Sequence, residues 1–172
     1  RTRTAMDFVV SRFSRLFPAY WAAIAITAGV IYAIGMPQQR IAMADLAANV
    51  TMLEEVLGFE HLDGSYWTLE VELFFYAQML FWFMSGQLKR IHWIIAAWLA
   101  MTVIYAEIER HHLHFSYTLR ELLILRHIPF FALGILFYRI HARSGSPFQN
   151  LALIALSLAA IGLSKPPVYL LA

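Results

Sequence analysis

Apolar residues fall in long blocks separated by short polar stretches. Leu16 to Ile34 is a run of nineteen residues without a charge, and at about 1.5 Å per residue it can cross a hydrocarbon core of ~30 Å. Gly35-Met-Pro37 closes the run, because glycine suits the position after a helix and proline cannot continue one. Gln38 to Asp63 is mixed and reads as an extramembrane linker with a short amphipathic helix near Ala42 to Leu53. Further apolar blocks run from Tyr66 to Met84, Ile91 to Tyr105, Leu122 to Tyr138 and Leu151 to Leu163. The pattern predicts an all-α chain, a polytopic transmembrane helical bundle with about five membrane spans. The third and fifth blocks are short and need their flanking residues to span.

Composition agrees. The 172 residues are 60% hydrophobic and only 14% charged, with a mean hydropathy of +0.61, well outside the range of soluble domains. The absence of cysteine excludes disulfides, thiolate metal sites and a cysteine nucleophile. No glycine-rich phosphate loop, Ser-His-Asp order or nucleotide fingerprint is present. The chain opens on Arg1-Thr-Arg-Thr and stops inside Pro166-Pro-Val-Tyr-Leu-Leu-Ala172, so it is expected to be a fragment of a longer protein, with helices missing before it and a further part after it.

Alternating spans divide the connecting segments into two sets. Arg1, Arg3, Arg12, Arg15, Lys89, Arg90, Arg139 and Arg143 fall on one side, with Asp7 their only acid; Arg40, Arg110, Arg120, Arg126 and Lys165 fall on the other with the remaining acids. Eight basic residues against five place the first set in the cytoplasm by the positive-inside rule. Residues 1–15 are then cytoplasmic, and the Glu70/Glu72 end of the second span faces outward. The net charge of +2 is accordingly a topology signal, and nucleic acid is not an expected partner.

Four polar features interrupt the apolar blocks. Arg12 and Arg15, three apart, share a helix face and make a pincer for phosphates; equally, they read as snorkelling anchors beside Tyr20 and Trp21. In the second span Thr68, Glu72 and Tyr76 form one stripe at i, i+4 and i+8, with Glu70 nearly opposite. Glu70 is expected at the boundary, in reach of water. Glu72 lies deeper, and a carboxylate at that depth is a functional candidate, or a structural one paired to another helix. Trp67 and Tyr66 also suit an aromatic belt. Arg126 and His127 open the fourth span, where Pro129 is expected to kink the helix and Gly134 to allow close helix approach. Similar depth suggests a Glu72–Arg126 ion pair. His111, His112 and His114 read as a polar interfacial loop, His61, His92 and His141 as isolated interfacial residues, and no metal site is assigned.

Two of these motifs together are familiar. Arg12-x-x-Arg15-x-x-Pro18-x-Tyr20-Trp21, followed by Trp67-Thr-Leu-x-Val-Glu72-x-x-Phe75-Tyr76, resembles the membrane acyltransferase 3 family. Its members often carry Arg-x-x-Arg-x-x-Pro and then Trp-Ser-Leu-x-x-Glu-x-x-Phe-Tyr. Phe130-Phe-Ala-Leu-Gly134-Ile-Leu fits that family's aromatic-rich helix with a central glycine. The resemblance covers most of the chain and corresponds to roughly the middle of a bundle of about ten helices.

The resemblance implies a multi-pass enzyme of the inner (plasma) membrane. It would move an acetyl or other short acyl group from acyl-coenzyme A, a donor substrate and not a permanently bound cofactor, to a carbohydrate or lipid-linked glycan. Arg12 and Arg15 would hold the donor's phosphates, and Glu72, Trp67, Tyr76 and Arg126 are candidates for the catalytic or acceptor region. Thr68 stands where the family usually has serine, which keeps the hydroxyl. The family's essential histidine belongs to a helix upstream of the arginine motif, so the fragment alone is expected to be inactive. From the residues alone, a transporter or flippase, or a noncatalytic membrane subunit, stays open: intramembrane Glu and Arg also line translocation paths.

Overall fold

The structure, a computed structural model, describes residues 4–34, 42–111 and 116–163. Among these residues all regular structure is helical. The chain divides into two compact units, Arg1–Gly86 and Gln87–Ala172.

In the first unit, helix α1 (Ala5–Ile34) ends where the apolar run ends but starts eleven residues before it. A capping box explains the early start. Thr4 Oγ1 accepts the Asp7 N–H at 3.0 Å, and Asp7 Oδ2 accepts the Thr4 N–H at 3.1 Å, so two otherwise orphaned donors are satisfied. Arg12 and Arg15 therefore lie within a helix that already has two turns below them. Helix α2 (Met43–Val50) is the short linker helix the pattern predicts, and Asp45 reaches back to the Ala42 N–H. Helix α3 (Trp67–Met84) matches the second apolar block.

Helices α1 and α3 pack antiparallel. Phe8 near the start of α1 stacks on Phe83 near the end of α3, while the Thr27 hydroxyl lies 3.0 Å from that of Tyr66 at the other end. Leu16, Tyr20, Ile24, Met52 and Tyr66 form the core between them.

The linker between α2 and α3 is tightly organised. Asn49 is fully buried; its amide donates to the Asp45 and Glu60 carbonyls at 2.8 and 2.9 Å, and its Oδ1 accepts the Leu62 N–H at 2.9 Å. One turn further on, Gly58 (φ +80°) closes a Schellman motif: the Phe59 N–H bonds the Glu54 carbonyl at 2.8 Å and the Gly58 N–H that of Glu55 at 3.1 Å. These bonds set the directions of Glu54 and Glu55.

In the second unit a 3₁₀ turn (Gln87–Arg90) leads into α4 (Ile91–Arg110), followed by α5 (Tyr117–Leu122), α6 (Ile128–His141) and α7 (Pro147–Leu163). Helix α4 runs five residues past the expected end at Tyr105. Its extension is made of good helix formers, and Glu107 pairs with Arg110 at 2.8 Å. The fourth block is corrected more substantially. Residues 123–127 are a turn, with Ile124 at φ +48°, so Pro129 opens α6 within its first two positions. There its missing N–H costs nothing, and it starts a helix where a kink was expected. A Cβ added at Gly134 would meet nothing within 4 Å among the described residues, so none of these in its own unit uses that glycine for close approach.

Helix α7 shows which kind of surface these helices present. Its buried residues are Asn150, Leu153, Ser157 and Ala160, while Leu151 and Leu158 are about 60% exposed. Apart from Leu153, the inward groups are polar or small while large apolar ones turn outward, as in helices packed in lipid. Two helical stretches, Ala5–Ile34 and Gln87–Arg110, are long and apolar enough to cross a membrane; α6 and α7 are shorter apolar helices. Helices thus occupy all five expected blocks, and two of them meet the length and hydropathy of a span.

The α6–α7 corner hangs on one glycine. Arg139 Nε donates to Asn150 Oδ1 at 3.0 Å, and Asn150 Nδ2 to the Ser144 carbonyl at 3.0 Å. Gly145 sits beside them at φ +77°, where a Cβ would fall 2.1 Å from Arg139 Nη2. Gly145→Ala is expected to displace Arg139 and to cost about 1–2 kcal/mol from the left-handed backbone alone. A thermal melt checks this, and an unchanged midpoint would show that the corner relaxes freely.

Candidate functional site

Antiparallel packing of α1 on α3 brings the two sequence motifs side by side. Tyr76 lies nine residues into α3, about 14 Å along its axis, and Arg12 lies seven residues into α1. The Arg12 guanidinium carbon is 4.8 Å from the centre of the Tyr76 ring and 5.3 Å from that of Phe8, within the range of a cation–π contact. Tyr76 in turn donates its hydroxyl to Glu72 Oε1, one turn back on α3. Phe8 meets the Tyr76 ring edge-on.

The result is a relay of three polar groups, guanidinium, phenol and carboxylate, half-buried between two helices. Arg12 is half-buried, and its Nε is buried without a hydrogen-bond partner. Arg15 is exposed, and its charge acts on the Tyr76 hydroxyl alongside that of Arg12. The expected pincer is therefore asymmetric: Arg12 packs on α3 and Arg15 reaches outward.

Residues 1–170 match a family described as an acyltransferase domain. The chain belongs to the acyltransferase 3 family. No match was found among curated proteins or among solved structures.

For an acyltransferase 3 chain, the joining of Arg12 to Glu72 through Tyr76 links its two sequence motifs physically. The remaining candidates fall elsewhere. Trp67 is half-buried at the first position of α3, and Thr68 is exposed, bonding its own turn at Ser65. Arg126 lies in the second unit, in the turn before α6, where it pairs with Glu109 at the end of α4. Within its own unit each has a local partner, Glu72 with Tyr76 and Arg126 with Glu109. Sequence reasoning overlooked Glu109 because α4 was expected to end before it. His112 and His114 lie outside the described residues, and His111 pairs with Glu107.

A second polar cluster, unforeseen in the sequence, occupies the opposite end of the α1–α3 pair. Glu70 is 2% exposed and Glu54 fully buried. The expectation that Glu70 reaches water is thus overturned: residues 49–62 fold over the first turn of α3 and cover it. His61, read as an isolated interfacial residue, places Nδ1 2.9 Å from Glu54 Oε1 and Nε2 3.4 Å from Glu55 Oε2. The hydrogen bond to Glu54 raises the His61 pKa above the usual imidazole value, with the Glu55 charge adding to it against the effect of burial. Tyr20 donates to the Asn49 carbonyl at 2.7 Å and lies 3.3 Å from Glu54 Oε1. Its single proton favours the shorter bond. The only sequence signal for this cluster was its acid- and His-bearing linker around Gly58, a pattern with no specific spacing.

Proposed function

We propose that this chain is part of a multi-pass enzyme of the inner (plasma) membrane that transfers an acetyl or other short acyl group from acyl-coenzyme A to a carbohydrate or lipid-linked glycan. The observation that supports this reading best is the Arg12–Tyr76–Glu72 relay. Acyl transfer from a coenzyme A thioester needs a cation for the donor's phosphates close to the reacting carbonyl. Arg12 and Arg15 supply that charge from the side the basic residues assign to the cytoplasm.

In the reaction an acceptor hydroxyl oxygen attacks the thioester carbon, the carbon–sulfur bond breaks, and the hydroxyl proton ends on the departing thiol. Family resemblance assigns the base for that proton to a histidine outside these residues. Glu72, held by the Tyr76 hydroxyl, is then the positioning carboxylate that orients either the base or the acceptor. Since Tyr76 touches both Arg12 and Glu72, donor-binding charge and positioning acid stand within one aromatic ring of each other, about midway along α3. Donor and acceptor would meet there, inside the bundle and away from bulk water, which strengthens every charge interaction at the site.

The test is thioester consumption by the full-length protein in membrane vesicles supplied with acetyl-coenzyme A and a glycan acceptor. Glu72→Gln keeps the side chain's shape and removes its charge. It is expected to lower kcat by about 10²-fold while donor binding stays near wild type. Movement of acceptor across the membrane without thioester loss would instead identify a transporter.

A further inference from the structure

We infer that Glu54, His61 and Glu70 form a binding site for a divalent transition-metal ion of the zinc and manganese class, independent of the acyl-transfer reading. Each residue offers one ligand atom, and the three atoms lie within 4.8 Å of one another. A tetrahedral ion with bonds of about 2.0–2.2 Å holds neighbouring ligand atoms roughly 3.4 Å apart, so the widest pair has to close by about 1.4 Å, within the reach of glutamate rotamers.

The cluster also has unmet bonding. Oε2 of Glu54 is buried with no hydrogen-bond partner, both buried oxygens of Glu70 lack one of normal geometry, and the backbone of Val56 lies close enough to act on Glu70. Buried polar groups are normally satisfied, and each exception calls for a cause. Charge points the same way. Glu54 and Glu70 are both buried, Glu55 stands beside them, and among the described residues their ion pairs are with His61 alone. One imidazole cannot neutralise two buried carboxylates, whereas a divalent ion can.

A supporting shell is also in place. Tyr20 and the Asn49 carbonyl hold the side of the cluster next to Glu54, and the Schellman turn at Gly58 fixes its backbone. His61 also lines a cavity of about 380 Å³ together with Ile26, Thr27, Val30 and Asp63. One imidazole with two carboxylates suits zinc or manganese better than calcium or magnesium, which prefer oxygen alone. The bound ion would clamp the linker onto the first turn of α3.

The test uses the full-length protein purified in detergent with a histidine-free tag. Metal content is read by mass spectrometry; the chelator-stripped protein is then titrated with zinc or manganese alone, followed by calorimetry and thermal melting. Wild type is expected to take up about one ion per chain and to melt higher when loaded. E70Q and H61N should each weaken binding by at least about a hundredfold, because loss of even a supporting residue costs 10–100-fold, and should abolish the shift in melting. E70Q keeps the shape of the side chain and removes its charge, and its melting midpoint without metal, set against that of stripped wild type, checks that it folds. A cluster that holds only a proton would leave stripped and metal-treated wild type melting alike, and that result would overturn the inference. So would equal ion uptake by wild type, E70Q and H61N.

Discussion

Replacing Arg12 with alanine is expected to lower acyl transfer by about 10²–10³-fold, the cost of removing one preorganised group that faces developing or bound charge. Arg12→Lys should recover little of it. An ammonium keeps the charge but has neither the planar face that stacks on Tyr76 nor the fork that holds a phosphate in two bonds. The structure distinguishes Arg12 from its motif partner, since Arg12 lies 4.8 Å from the Tyr76 ring centre and Arg15 is exposed. Arg15→Ala should therefore raise the KM for acyl-coenzyme A, more strongly at low salt, and leave kcat nearer wild type. Steady-state thioester assays with both variants check the split. Equal losses in kcat for the two would mean that Arg12 has no special relation to Tyr76.

The largest expected loss of stability is at Asn49. Its side chain makes three hydrogen bonds, to Asp45, Glu60 and Leu62, from a fully buried position. Asn49→Ala would leave the Leu62 N–H and the Glu60 carbonyl without their partner. At about 1–3 kcal/mol for each of these two stranded buried groups, the sum is about 2–6 kcal/mol. Asn49→Asp should fare no better, because it keeps the acceptor for Leu62 but sets an oxygen against two carbonyl oxygens. Unfolding in detergent by heat or denaturant measures both variants. A change within about 0.5 kcal/mol, the usual range for surface sites, would show that the linker is held by other contacts.

Some of the site is legible in the sequence. The Glu72–Tyr76 hydrogen bond follows from their spacing of four on a helix, and the partition of Glu70 to the opposite face follows from the same geometry. The burial of that opposite face was not legible, because it depends on a linker whose fold is set by one asparagine and one glycine. The start of α1 could have been read from Thr4-x-x-Asp7. The hydrophobic run drew attention eleven residues too late. The Arg126–Glu109 pair was not legible either, because the sequence pattern ends α4 before Glu109.

By itself the sequence determined the helical class, the positions of the apolar segments and the two motifs that mark the acyltransferase 3 family. All of these depend on periodicity and on neighbours within a turn or two. Tertiary structure alone decided that Arg12 meets Tyr76 sixty-four residues away, that Arg126 pairs with Glu109, and that Glu70 is buried beside Glu54 and His61. Those contacts depend on how α1 packs on α3 and on the path of the linker. Many pairings satisfy the same hydrophobic pattern, and only packing and hydrogen-bond satisfaction select among them.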